Sequence, residues 1–167
     1  MSFPFLPYMV TDQVTDLTPA LLKAHGIQLL MLDFDNTIVP YTSNTPSGEM
    51  QTWLETMLKS DIRLCVVSNS HNDRVRKFCD AYGLPCITHA RKPSTGGIRR
   101  CLDQYGVAPA QAALAGDQIY TDTLGAGLAG VKAILVKAIH NHNFWLKARH
   151  VLEMPFILMA RNRRLEK

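Results

Sequence analysis

The sequence contains no uninterrupted apolar run of the roughly 18 residues that a membrane-spanning helix needs. Its best candidate, 144–160, is broken by Lys147, Arg149, His150 and Glu153 and carries Pro155, which excludes a spanning helix there. Cysteine is sparse. Cys65, Cys79, Cys86 and Cys101 lie 14, 7 and 15 residues apart, with no C-x-x-C pair and no histidine at zinc-finger spacing, so they are expected to be reduced thiols in a core. The first ten residues lack a basic leading segment and a small-residue cleavage site and hold Pro4 and Pro7. A secretory signal is therefore not expected, and a cytoplasmic location is. Most of the chain also lacks a charge excess: of 18 basic and 14 acidic residues, six and two fall within 147–167, and the remainder balances. The net charge of +4 belongs to a basic tail, and electrostatic partners are to be sought there first.

A chain of 167 residues with 47% hydrophobic and 19% charged residues suits one globular core. Thr18-Pro19 followed by Gly26 marks a short helix. Apolar runs at 27–32, 62–67, 112–115 and 133–136, with a weaker one at 85–88, are too short for helices and read as buried strands. Helix-length segments at 47–59, 72–82, 94–105 and 119–129 lie between them. Strands alternating with helices predict an α/β fold, a Rossmann-like three-layer α/β/α sandwich around a mostly parallel five-stranded sheet. Ligands in such folds bind at the carboxyl ends of the strands.

Those ends are polar. The first run stops at Asp33-Phe34-Asp35-Asn36-Thr37, the second at Ser68-Asn69, and the fourth at Gly116-Asp117 with Asp122 one helical turn on, while Lys92-Pro93 precedes a helix. Each piece alone reads as an ordinary turn, cap or solvated charge. Together they gather carboxylates around one crevice, where mutual repulsion calls for a cation, and oxygen donors suit Mg²⁺.

As a set, Asp33-x-Asp35-x-Thr37, Ser68, Lys92 and Gly116-Asp117-x4-Asp122 resemble the four motifs of the haloacid dehalogenase (HAD) superfamily of aspartate-nucleophile phosphohydrolases. The short intervals leave no room for an inserted cap, and Ala90-Arg91-Lys92-Pro93 with Gly116-Asp117-Gln118-x2-Thr121-Asp122 is most similar to the capless class III A members of the YqeG family, itself similar to the mitochondrial phosphatidylglycerophosphate phosphatase. The resemblance implies a HAD-like fold without a cap and a Mg²⁺-dependent phosphomonoesterase. Asp33 would be the nucleophile and Asp35 the general acid and base. Ser68 and the Asn69 backbone would bind phosphate together with Lys92. Mg²⁺ would be held by Asp33, the Asp35 carbonyl and Asp117, with Asp122 in support, and Thr37 would orient Asp35.

Other polar residues read more plainly. His71, His89 and Arg91 lie close to the supposed site as substrate contacts or solvated groups, and His140 with His142 reads as a polar turn. Gly125-x-Gly127-x2-Gly130 fails as a dinucleotide fingerprint because it does not open a helix straight after a strand. The expected organisation is an N-terminal extension over 1–26, a phosphatase core over 27–137 and a basic amphipathic segment over 138–167. In that last segment Phe144, Trp145, Leu146, Val151 and Leu152 alternate with Lys147, Arg149 and His150, ahead of Arg161, Arg163 and Arg164. This pattern suits either a helix packed on the core or a helix lying on an anionic bilayer. The partner expected is a phosphorylated substrate, large or membrane-associated, such as phosphatidylglycerophosphate, with a position peripheral to the membrane if the tail binds lipid. The alternatives are a phosphatase for nucleotide, nucleic-acid or protein phosphoesters and a non-catalytic, ribosome-associated assembly factor.

Overall fold

A computed structural model describes residues 4–71 and 73–139. The chain order is strand β1 (Met9–Thr11), helix α1 (Pro19–Ala24), β2 (Leu29–Leu32), α2 (Gly48–Leu58), β3 (Arg63–Val67), α3 (Asp73–Tyr82), β4 (Cys86–Ile87), α4 (Gly96–Tyr105), β5 (Ala112–Gly116), α5 (Leu124–Ala129) and β6 (Lys132–Val136). Capping fixes several ends. The Thr18 hydroxyl accepts from the Leu21 N–H ahead of Pro19, and the Ser47 hydroxyl accepts from the Met50 N–H, each satisfying a donor that the first helical turn leaves open.

The six strands run parallel in the order β1-β6-β5-β2-β3-β4. The alternation of strand residues decides the layers. Leu30 and Leu32 join Leu64, Val66, Ala113 and Ala115 in one core with Trp53, Leu54 and Met57 of α2 and Val75 and Phe78 of α3. Leu29 and Met31 join Cys65, Val67, Ala112 and Leu114 on the opposite face, under Ile98, Cys101 and Leu102 of α4 and Ala126 of α5. Burial on both faces explains why these strands are continuous apolar runs. The chain winds from β2 outward through β3 and β4, then crosses back to β5 beside β2. The switch point is thus at the carboxyl end of β2, and among the described residues no cap domain is inserted around it.

Two details differ from expectation. The sheet has six strands rather than five: β1 pairs with β6, Met9 against Ile134 and Thr11 against Val136. Three residues behind two prolines leave no readable period, so this edge strand is invisible to pattern. Gly127 lets the arm ahead of β1 pass close by, because a Cβ there would sit 2.6 Å from the Pro4 carbonyl oxygen. The expected single helix over 119–129 is instead a π-helical turn, Ile119–Thr123, that continues into α5. All four cysteines are free thiols, three of them buried. No described helix is long and apolar enough to cross a membrane. The basic segment beyond Ile139, with His140 and His142, lies outside the described residues.

Candidate active site

Strand register assembles the site. Leu32, the last residue of β2, pairs with Val66 on one side and Ala115 on the other, so Asp33, Ser68 and Asp117 emerge from three adjacent strand ends. The Asp33 N–H extends the ladder by donating to the Ala115 carbonyl at 2.8 Å. The backbone then turns sharply through Asn36, at φ 59°. The Asn36 N–H bonds to the Val39 carbonyl at 2.7 Å, and its side-chain oxygen accepts from the Tyr41 N–H at 3.1 Å. Asparagine tolerates this left-handed conformation better than most residues.

Lys92 is the centre of the charge arrangement. Its ammonium donates to Asp33 Oδ1 and Asp122 Oδ1, both at 2.6 Å, with the lysine side chain 1% exposed. Burial alone would lower its pKa, but Asp122 and then Asp33 outweigh that and hold it above its usual range. Burial pushes the Asp122 carboxyl up to about 6 against the pull of Lys92. Asn69 supports the lysine from behind: its side-chain oxygen accepts from the Lys92 N–H at 2.6 Å and its amide donates to the Lys92 carbonyl at 2.9 Å. This two-point clamp on the backbone adds a side-chain task to the phosphate contact expected from the Asn69 N–H. Ser68 is 2% exposed, its hydroxyl accepting from the Ser70 N–H at 3.1 Å.

The π-helical turn delivers Asp122. The Thr123 N–H reaches back to the Gln118 carbonyl at 3.2 Å, and Asp122 Oδ2 accepts from the Gln118 N–H at 3.2 Å. Such turns are frequent at functional sites. One oxygen each from Asp33, Asp117 and Asp122 lie within 4.8 Å of one another. Three buried carboxylates converging on one point fit a hard divalent cation. The charge balance agrees, since Lys92 and Arg74 are outnumbered by Asp33, Asp35, Asp117 and Asp122 even before a phosphate brings roughly two more negative charges. The Asp35 side chain pairs with Arg74 rather than joining this trio.

Gly116 makes room for the arrangement. A Cβ there would lie 2.3 Å from Asp122 Oδ2 and 2.7 Å from Asp122 Cβ, so even alanine must displace this buried carboxylate. Gly116→Ala is expected to weaken divalent-metal binding about tenfold or more, as for other groups that support metal ligands, while thermal unfolding stays cooperative. Isothermal titration with Mg²⁺ checks it, and wild-type affinity in the variant would deny Asp122 a part in holding the ion.

Asp33, Asp35, Ser68, Asn69 and Lys92 all face one open pocket of about 410 Å³, rimmed by Tyr41, Gln118 and Thr121. One expected contact is corrected. Thr37 does not hold Asp35: it is 1% exposed, and its hydroxyl has no hydrogen-bond partner among the described residues. Arg74, in the first turn of α3, bonds the Asp35 carboxylate instead. Burial raises the Asp35 pKa, with the Arg74 hydrogen bond and charge pulling the other way. Arg74 went unread, though a cation in the first turn of a helix opposes the helix dipole and signals a specific partner. His71 and His89 are exposed and stack edge to face with centroids 4.2 Å apart, outside the pocket lining.

The HAD-hydrolase-like family model matches residues 89–143. A Bacillus subtilis (strain 168) protein named "Probable phosphatase YqeG" is 31% identical over 132 residues, 79% of this chain and 77% of that protein. Among solved structures, the cobalt-bound deoxy-D-mannose-octulosonate 8-phosphate phosphatase of Haemophilus influenzae has a TM-score of 0.56 at 14% identity, covering 83% of this chain and 91% of that one. A hydrolase of HAD subfamily III A from Legionella pneumophila gives 0.52 at 13% identity, covering 84% and 90%. These two likenesses speak for the fold alone. Fold, site and sequence relationship together define a phosphatase of the HAD superfamily, a class that uses a divalent metal. Within it, the chain belongs to the YqeG family.

Proposed function

We propose that the protein is a Mg²⁺-dependent phosphomonoester hydrolase that works through an aspartyl-phosphate on Asp33. The observation that carries this reading is the buried Lys92 held between Asp33 and Asp122, with Asp35 as a second, partly buried carboxyl lining the same pocket. The pair differs in environment, as two carboxylates with different tasks should. The Asp33 carboxylate attacks phosphorus as the bond to the leaving oxygen breaks, and Asp35 gives that oxygen its proton. Asp35 then takes a proton from water as the water oxygen attacks phosphorus, which releases phosphate and restores Asp33. Lys92 and the Ser68 hydroxyl stabilise the phosphoryl oxygens during both transfers. Asp33, the Asp35 carbonyl and Asp117, supported by Asp122, would hold the Mg²⁺, which supplies Lewis-acid neutralisation of phosphate charge.

The open pocket and the basic tail support a substrate large enough to cover the site or presented on a surface, such as phosphatidylglycerophosphate. Lys147, Arg149, Arg161, Arg163 and Arg164 would bring the pocket to an anionic bilayer, each basic residue near such a surface contributing about 1 kcal/mol. Phosphate release in Mg²⁺ is the test, with phosphatidylglycerophosphate in anionic vesicles, nucleotides, phosphopeptides and an aryl phosphate as substrates. The lipid in vesicles is expected to be hydrolysed fastest, and substituting Arg161, Arg163 and Arg164 by glutamine should slow it without slowing the aryl phosphate. Faster turnover of nucleotides or phosphopeptides would overturn the lipid assignment while leaving the reaction intact.

A further inference from the structure

Arg74 donates to four residues of the stretch 35–44, which is distant from α3 in sequence. Its Nη1 donates to Asp35 Oδ1, its Nε to Asn44 Oδ1, and its Nη2 to the Pro40 carbonyl at 2.9 Å and to the Ser43 carbonyl. The guanidinium lies over the Phe34 ring, 5.0 Å from the centroid, with the Tyr41 ring at 6.0 Å. Phe34 is itself fully buried and packs edge to face on Phe78 of α3 at 5.1 Å. The cation therefore rests on a ring anchored in the core, and its planar fork of donors is spread over one carboxylate and one loop.

We propose that Arg74 is a positioning residue for the reaction, joining the Asp35 carboxylate and the Pro40–Asn44 loop at the pocket mouth into one rigid unit, so that the acid and the edge past which the leaving group departs are set together. The inference rests on the reading of Asp35 as general acid given above. Two features of the fork make this more than a surface ion pair. Only arginine offers five N–H donors in fixed directions, and the Arg74 side chain is 17% exposed against 23% for Asp35, so the pair is shielded from much of the solvent that weakens open pairs. The loop end of the unit also matters to substrate, since Tyr41 lies on the pocket rim.

A misplaced acid harms poor leaving groups more than good ones, because an acidic phenol departs with little help from a proton. This separates positioning from general loosening of the fold. The experiment measures kcat/KM on a series of substituted phenyl phosphates, from nitrophenyl to methoxyphenyl, for the wild type, Arg74→Ala, Arg74→Lys and Asp35→Asn, with melting temperatures taken alongside. Arg74→Ala is expected to lose roughly tenfold on the nitrophenyl ester and on the order of 10²–10³-fold on the methoxyphenyl ester, within the span of general-acid effects. Arg74→Lys keeps the charge but not the fork, and is expected to show the same steepened dependence; it also carries the comparison if the alanine variant fails to fold. Equal losses across the series, or full recovery with lysine, would overturn the inference. A dependence in Asp35→Asn no steeper than in the wild type would instead overturn the general-acid reading on which it rests.

Discussion

Asp33→Asn is expected to abolish phosphate release, by on the order of a thousandfold or more in kcat, as for removal of a covalent nucleophile, while the protein remains folded. The asparagine side chain is nearly isosteric and can still accept a hydrogen bond from Lys92, which also keeps its contact to Asp122. The change removes one of three carboxylates crowded within 4.8 Å, so relief of repulsion offsets part of the lost ion pair. A small shift in melting temperature should therefore accompany a very large loss of rate. If Asp33 were only a ligand for the metal, raising the Mg²⁺ concentration would restore activity to the variant. Steady-state assays across a wide Mg²⁺ range together with thermal unfolding distinguish these outcomes. Substantial activity at any Mg²⁺ concentration would show that Asp33 is not the nucleophile.

Lys92→Met should damage both stability and rate. The methionine fills a similar volume, but Asp33 and Asp122 then face each other and Asp117 without their buried cation. Breaking one partner out of a buried ion pair costs about 3–5 kcal/mol, a large share of the total stability of a domain this size. Rate should fall by on the order of 10²–10³-fold as well, through loss of a preorganised positive charge at the phosphoryl group. A divalent ion can replace part of the missing charge, so Mg²⁺ is expected to raise the melting temperature of the variant more than that of the wild type. Asn69 grips the backbone of residue 92 and not its side chain, so the loop should hold its course and the effect should be one of charge. A variant as stable as the wild type in the absence of Mg²⁺ would mean that the three carboxylates do not depend on Lys92.

These residues were readable because their chemistry is attached to elements that pattern reveals. Asp33, Ser68 and Asp117 each follow a short apolar run, and parallel strands in register must set such residues side by side. Lys92 and Asp122 show in the sequence as polar residues ahead of a helix and one turn past Asp117, and the resemblance of the whole set supplies their roles. Contacts made by tertiary folding were not readable. Thr37 was expected beside Asp35, two residues away, but the turn at Asn36 buries the threonine and leaves the carboxylate to Arg74, 39 positions along the chain. The Asn69 clamp on Lys92 spans 23 positions, and nothing local to either residue announces it. β1 is too short to show a period, and the π-helical turn at Ile119–Thr123 differs from an α-helix by one hydrogen-bond step that composition does not encode.

The central claim is that phosphorus passes through Asp33. Turnover of an aryl phosphate in Mg²⁺, quenched by acid within the first cycle and reduced with borohydride, converts an aspartyl-phosphate to homoserine, which peptide mass spectrometry can locate. Homoserine is expected at position 33 and nowhere else, in greater yield in Asp35→Asn, where the base for the second transfer is missing. Turnover without homoserine at position 33, or with it at another aspartate, would contradict the account.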